Sequence, residues 1–184
     1  QESEETQFNE TVGLLKKLGV IDPADSTKMA TTVTNAHFLK LAAGVIYGAG
    51  AMTEYGTVFG EMTDMLASPQ SEVTYENAAR VVVSGLGYSF YREQYNSYTV
   101  VAHTIGLFDG IEQGERTYIT YGDVMKLFDN ALSTRKMVML QNGDEVIGET
   151  GDILLMAVHS IRKEKGIVTA TQVTGLLGKE KVGK

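Results

Sequence analysis

Apolar residues recur along much of this chain at the three- and four-residue spacing of helices that bury one face. Phe38, Leu41, Ala42 and Val45 form one such stripe, and Val124, Leu127, Phe128 and Ala131 form another. A shared motif precedes them. Val33-Thr34-Asn35-Ala36-His37-Phe38, Val73-Thr74-Tyr75-Glu76-Asn77-Ala78 and Ile119-Thr120-Tyr121-Gly122-Asp123-Val124 have the same apolar and polar order, and their threonines lie 40 and then 46 residues apart. Self-similarity at such a period is the mark of a repeat architecture.

Thr34, Thr74 and Thr120 stand where an N-cap belongs, able to accept from the unpaired N–H groups of the first turn. Three residues on come His37, Asn77 and Asp123, of which Asp123 is the one resembling the reciprocal partner of a capping box. The apolar residue before each threonine is placed to staple onto the one four after it: Val33 on Phe38, Val73 on Ala78, Ile119 on Val124. A shorter helix precedes each capped one. The patterns place these at Asn9 to Leu18, Thr57 to Leu66 and Asn96 to Ile105, with glycine turns after them such as Gly19 and Gly106.

After Ser133 the period changes. Lys136 to Leu140 and Gly166 to Ala170 read as strands, Asn142-Gly143 as a hairpin signal, and Thr150 as the cap of a short helix ending at His159. The predicted fold class is therefore mainly α. Three helix-loop-helix repeats occupy residues 7–132 (about 7–47, 48–88 and 89–132), a small α/β extension follows at 133–177, and 178–184 form a linker or tail.

Composition narrows the function. The net charge of −7 argues against nucleic acid and against an anionic membrane surface, both of which demand clustered Lys and Arg. No apolar run approaches the ~20 residues needed to cross a bilayer, so no membrane insertion is expected. The absence of cysteine removes disulfides, thiol catalysis and cysteine-ligated zinc. Gln1 in place of Met reads as a processed or trimmed start. His37, His103 and His159 are isolated and read as structural or surface residues, and Asp22, Asp25 and Asp109 read as solvated turn residues. Ser84-Gly85-Leu86-Gly87 lacks the lysine of a phosphate loop, and Gly-x-Ser-x-Gly is missing. No enzyme, cofactor or metal site is expected. The cluster Tyr88, Tyr91, Tyr95, Tyr98, followed by Tyr118 and Tyr121, has two readings: anchors between repeats, or an aromatic platform for a sugar or a protein.

The order Leu18-Gly19-Val20-Ile21, loop, Val33-Thr34, helix resembles the S-layer homology family of bacterial cell-surface proteins. So do Ala102-His103-Thr104-Ile105-Gly106-Leu107-Phe108-Asp109-Gly110 with Ile119 to Val124, Gly85-Leu86-Gly87-Tyr88, and the region around Gly166 to Ala170. The resemblance implies a pseudo-threefold helical bundle whose inter-repeat grooves hold acidic, often pyruvylated, cell-wall polysaccharide. It implies an extracellular, cell-surface location and a non-catalytic structural role in wall attachment or S-layer-type assembly. The alternative is a protein–protein assembly module of a surface filament or virion, with neighbouring subunits as partners. The family's Thr-Arg-Ala-Glu signature is altered here: its arginine position holds Asn35, Tyr75 and Tyr121, and its glutamate position holds His37, Asn77 and Asp123. The expected polymer-binding residues are thus Thr34, Asn35, Thr74, Tyr75, Thr120 and Tyr121, acting through hydroxyl, amide and aromatic groups, with helix N-terminal N–H groups assisting.

Overall fold

The computed structural model describes residues 3–143, 145–164 and 167–170. The chain is mainly helical, with small antiparallel strand pairs at its C-terminal end. No helix among the described residues is long and apolar enough to cross a membrane.

Helix α1 spans Glu4–Lys17 and begins earlier than the apolar stripe predicts. Ser3 caps it by accepting from Thr6 N–H at 3.1 Å, and Glu4, Glu5, Lys16 and Lys17 complement the helix dipole at the two ends. Capped helices α2 (Asn35–Tyr47) and α5 (Tyr75–Gly85) begin one residue after Thr34 and Thr74, and α8 (Tyr121–Leu132) one residue after Thr120. Each threonine Oγ1 accepts the N–H three residues on, at 3.1–3.3 Å, as the sequence requires. The side chains flanking the caps, Val33, Phe38, Val73, Ala78, Ile119 and Val124, are all buried in one continuous core.

The middle unit departs from the predicted single helix at Thr57 to Leu66. A 3₁₀ turn at Ala49–Glu54 leads into α3 (Tyr55–Val58), and α4 (Thr63–Ala67) follows after a break. Gly56 and Gly60 weaken helix propensity here, while Phe59 and Met62 turn inward to be almost fully buried at the break. In the third unit, α6 (Arg92–Tyr95) closes on Asn96 in the left-handed region at φ 58°. Ser97, not Asn96, then opens α7 (Tyr98–Thr104).

The helices pack in a fixed relation. α3 and α4 lie on α2, α7 lies on α5, and α1 returns to lie on α8. Helix α2 also meets both α5 and α8, with Phe38 and Phe128 stacked at 5.7 Å between ring centroids. Its position between them explains why α2 is apolar on nearly every face.

Strands β1 (Arg135–Asn142) and β2 (Glu145–Ile153) form the predicted hairpin, turning at Gly143 with φ 67°. Thr150 does not cap a helix. It pairs with Met137 inside β2, because the hairpin ladder claims residues up to Ile153, and α9 (Leu154–His159) starts without a side-chain cap. β4 (Ile167–Ala170) lies where a strand is predicted and pairs with β3 (Ile161–Glu164), a partner the pattern did not reveal. The predicted linker at 178–184, with 171–177, lies outside the described residues. The extension shares the main core. Leu154 and Leu155 are buried with the helices, Met137 N–H donates to Leu86 O at 2.8 Å, and the His159 imidazole Nε2 donates to Val45 O at 2.8 Å.

Candidate functional site

The segments entering α2, α5 and α8 meet one another through three junctions built alike. At the first, Thr34 bridges Glu72, Val73 N–H donates to Val33 O, and Asn35 N–H donates to Ser71 O at 2.8 Å. At the second, Thr74 bridges Tyr118, Ile119 N–H donates to Val73 O, and Tyr75 N–H reaches Thr117 O at 3.4 Å. At the third, Thr120 bridges Thr32 and Tyr121 N–H donates to Thr31 O at 2.8 Å. The first residue of each of α2 and α5 is thereby tied to the segment before the next capped helix, and the first residue of α8 is tied back to the segment before α2.

The side chains at that position follow the same direction. Asn35 Nδ2 donates to Ser68 O at 2.9 Å, Tyr75 O–H donates to Asp123 Oδ2 at 2.6 Å, and the Tyr121 hydroxyl meets His37 Nδ1. Asn35, Tyr75 and Tyr121 are all buried. Burial first, and then the adjacent Asp123 carboxylate, push the Tyr75 phenol well above its ordinary range, so it stays protonated and donates. Arg116 pairs with Asp123 at 3.2 Å and lies over the Tyr75 ring, 5.8 Å from its centroid.

These placements alter the predicted site. The aromatic faces of Tyr75 and Tyr121 are turned into the protein, and the first-turn N–H groups expected to assist an anion are taken by neighbouring carbonyls. Ala36 N–H and Gly122 N–H are likewise held, by Pro69 O and Met29 O. The structure does bring Thr34, Asn35 and Thr74 together, on the wall of an open groove of about 790 Å³ at the first junction. Thr32, Asp64, Glu72, Asn77 and the exposed Tyr118 are among the other residues that line it. Tyr118 precedes a cap by two residues, a position whose exposure no helical periodicity predicts. Thr120 stands at the third junction, next to Tyr121, which with Asp25, Thr27, His37 and apolar residues such as Phe8 and Met125 lines a narrow cleft of about 10 Å³, roomy enough for about one water.

Electrostatics at the junctions are local and paired. His37 is held below its ordinary value by burial, with Asp25 opposing and Lys40 adding to the effect. Glu76 serves as an external cap for α7, accepting from Tyr98 N–H at 2.7 Å and Thr99 N–H at 3.1 Å. Burial raises its pKa, but these bonds, with those from Ser97 and Thr99 hydroxyls, outweigh burial and hold it below the ordinary carboxylate value. The tyrosine cluster at 88–98 is mixed: Tyr88 is buried with its hydroxyl on Arg135 O, whereas Phe90 is 44% exposed. Among the described residues, no three acidic or histidine side chains converge as metal ligands do. No protein-family model, curated protein or solved structure matches the chain.

Proposed function

We propose that the chain is a non-catalytic cell-surface module, built from three helix-loop-helix repeats in a pseudo-threefold bundle, that attaches a larger protein to cell-wall polysaccharide or joins it to an S-layer-type lattice. The observation that carries this reading is the closed relay of junctions. Each unit donates the first amide of its capped helix to the next, and each capped helix receives the preceding helix or helices of the following unit. A ring of like junctions supports the resemblance stated from sequence, because three units closing on themselves leave grooves between units. Attachment follows from a groove that is polar and open at the first junction. Sedimentation of the purified chain with isolated bacterial cell walls tests this: the chain pellets with walls and is released by soluble wall polysaccharide. A chain that stays in the supernatant at every wall concentration sinks the attachment reading.

A second reading, assembly through neighbouring subunits, draws on a different feature. Val138, Met139 and Leu140 are each 44–47% exposed on a two-stranded ribbon, an apolar run that globular surfaces rarely leave open. Light scattering without walls separates the two, since an assembly module grows in mass with concentration and an attachment module does not.

A further inference from the structure

We propose that Met137 and Met139, converging over Gly148 on one face of the β1–β2 hairpin, form a binding site for a soft monovalent cation of the copper(I) and silver(I) class. The site lies in the C-terminal extension and is independent of the polysaccharide reading above.

Strand pairing brings the two sulfurs together. Met137 and Met139 stand two apart in β1, so their side chains leave the same face of the ribbon. Thr150 is opposite Met137 and Gly148 is opposite Met139. Gly148 has no side chain, and both thioethers lean into the space this leaves. A Cβ at Gly148 would lie 3.3 Å from Met137 Sδ and 3.3 Å from Met139 Sδ. The sulfurs are thus no more than twice that distance apart, on either side of an open point. Among the described residues beyond the chain neighbours of Gly148, the next atom is Met139 Cε at 3.9 Å, so no nitrogen or oxygen comes as near. A metal–sulfur bond is about 2.3 Å, and the flexible, unbranched methionine stem closes the remaining gap of about 1 Å.

Donor chemistry selects the ion. A thioether sulfur is uncharged, soft and carries no proton to lose. Soft thioethers select copper(I), whereas calcium and magnesium take oxygen ligands. The chain has no cysteine to compete for such an ion. Met62, Met65 and Met125 are buried in the core, but Met139 is 47% exposed and Gly148 faces solvent beside it. Lys136, the basic residue next to Met137 in sequence, is engaged over the Tyr47 ring at 5.3 Å. Two thioethers fill part of a coordination shell, and water completes it from the open side.

The test titrates the full chain with silver(I) nitrate in chloride-free buffer, read by calorimetry and by methionine methyl NMR shifts. Silver(I) stands in for copper(I) because it is stable in air. The expected result is one ion per chain, with methyl shifts confined to Met137 and Met139. Affinity changes by less than about twofold between about pH 7.5 and 5.5, whereas a histidine site weakens as imidazole takes up its proton. Met137→Leu combined with Met139→Leu preserves apolar volume. It lowers affinity by at least the ~10–100-fold that loss of an outer-shell partner costs a metal site. Gly148→Ala keeps both sulfurs but sets a methyl group at the point between them, so it weakens binding about tenfold or more. Zinc(II) is expected to leave both methyl signals unmoved. No binding, equal affinity for zinc(II), shifts at other methionines or at the exposed His103, or full affinity in either variant each overturns the proposal. Silver(I) retained by Gly148→Ala at wild-type affinity means an adventitious ion only.

Discussion

The phenol of Tyr75 donates to Asp123 across 2.6 Å, joining the first residue of one capped helix to the third residue of the next. Both side chains are buried, and Arg116 completes the group from the surface at 3.2 Å. The residue that would continue a capping box within its own helix instead holds a neighbouring unit. Tyr75→Phe leaves a buried carboxylate short of one donor, so it is expected to destabilise the fold by about 1–3 kcal/mol. Urea denaturation of Tyr75→Phe, Asp123→Asn and the double variant measures the coupling. Strict additivity would show that the bond contributes nothing.

The three caps are chemically equivalent and predict equivalent losses. Thr34→Ala, Thr74→Ala and Thr120→Ala each cost about 1 kcal/mol, and each threonine to serine substitution costs far less because the accepting hydroxyl remains. Denaturant midpoints read this directly, and a loss in the serine variants equal to that in alanine would point to the threonine methyl rather than its oxygen.

Gly87 marks where the extension meets the helices. Its φ is 88°, and a Cβ there would lie 2.4 Å from the Met137 carbonyl oxygen, backbone that cannot swing away. Gly87→Ala is expected to cost more than ~1 kcal/mol from the left-handed conformation alone. Gly50→Ala, in open space, should stay within about 0.5 kcal/mol of wild type. Comparable thermal midpoints for the two variants would mean that the β1 contact with Leu86 and Gly87 does not form.

Acidification should lower stability in two steps of the same sign. His37 and His159 are kept neutral by burial, the latter against the favourable bond to Val45 O, so their folded pKa values lie below the unfolded ones. Below about pH 6.5 the unfolded chain takes up protons that the folded chain refuses, and stability falls. Glu76 is held below its ordinary 4.5, so the stability it contributes above that value disappears as pH drops through its lower folded value. Calorimetric midpoints from pH 7.5 to 3 therefore decline throughout; a rise between pH 7 and 5.5 would contradict the histidine assignment.

The link into the middle unit should open first. Ala51, Met52, Tyr55 and Val58 pack against the core from the 3₁₀ turn at Ala49–Glu54 and from α3, but none of them is fully buried, so less apolar contact opposes local unfolding here than in α8. Amide exchange at 49–58 is expected to outpace that in α8 by orders of magnitude, and equal protection would refute it.

What the sequence determined by itself is local. A threonine followed at helical spacing by apolar residues specifies cap, start and buried face within about a dozen residues, and all three capped helices begin one residue after their threonine. Asn142-Gly143 fixed the hairpin in the same way, through the backbone conformation that glycine permits. What only the tertiary structure decided involves residues far apart in the chain. Thr150 has the local chemistry of a cap, but pairing with Met137 makes it a strand residue. Thr57 to Leu66 has helical spacing, but burial of Phe59 and Met62 against the core breaks it. Asn35, Tyr75 and Tyr121 look alike in sequence as exposed first-turn residues. Their burial follows from the junctions, in which the backbone N–H of each is held by a residue 36–90 positions away. The open groove at the first junction, the Arg116 contact with Tyr75 at the second and the His37–Tyr121 contact at the third are side-chain placements that no local period encodes.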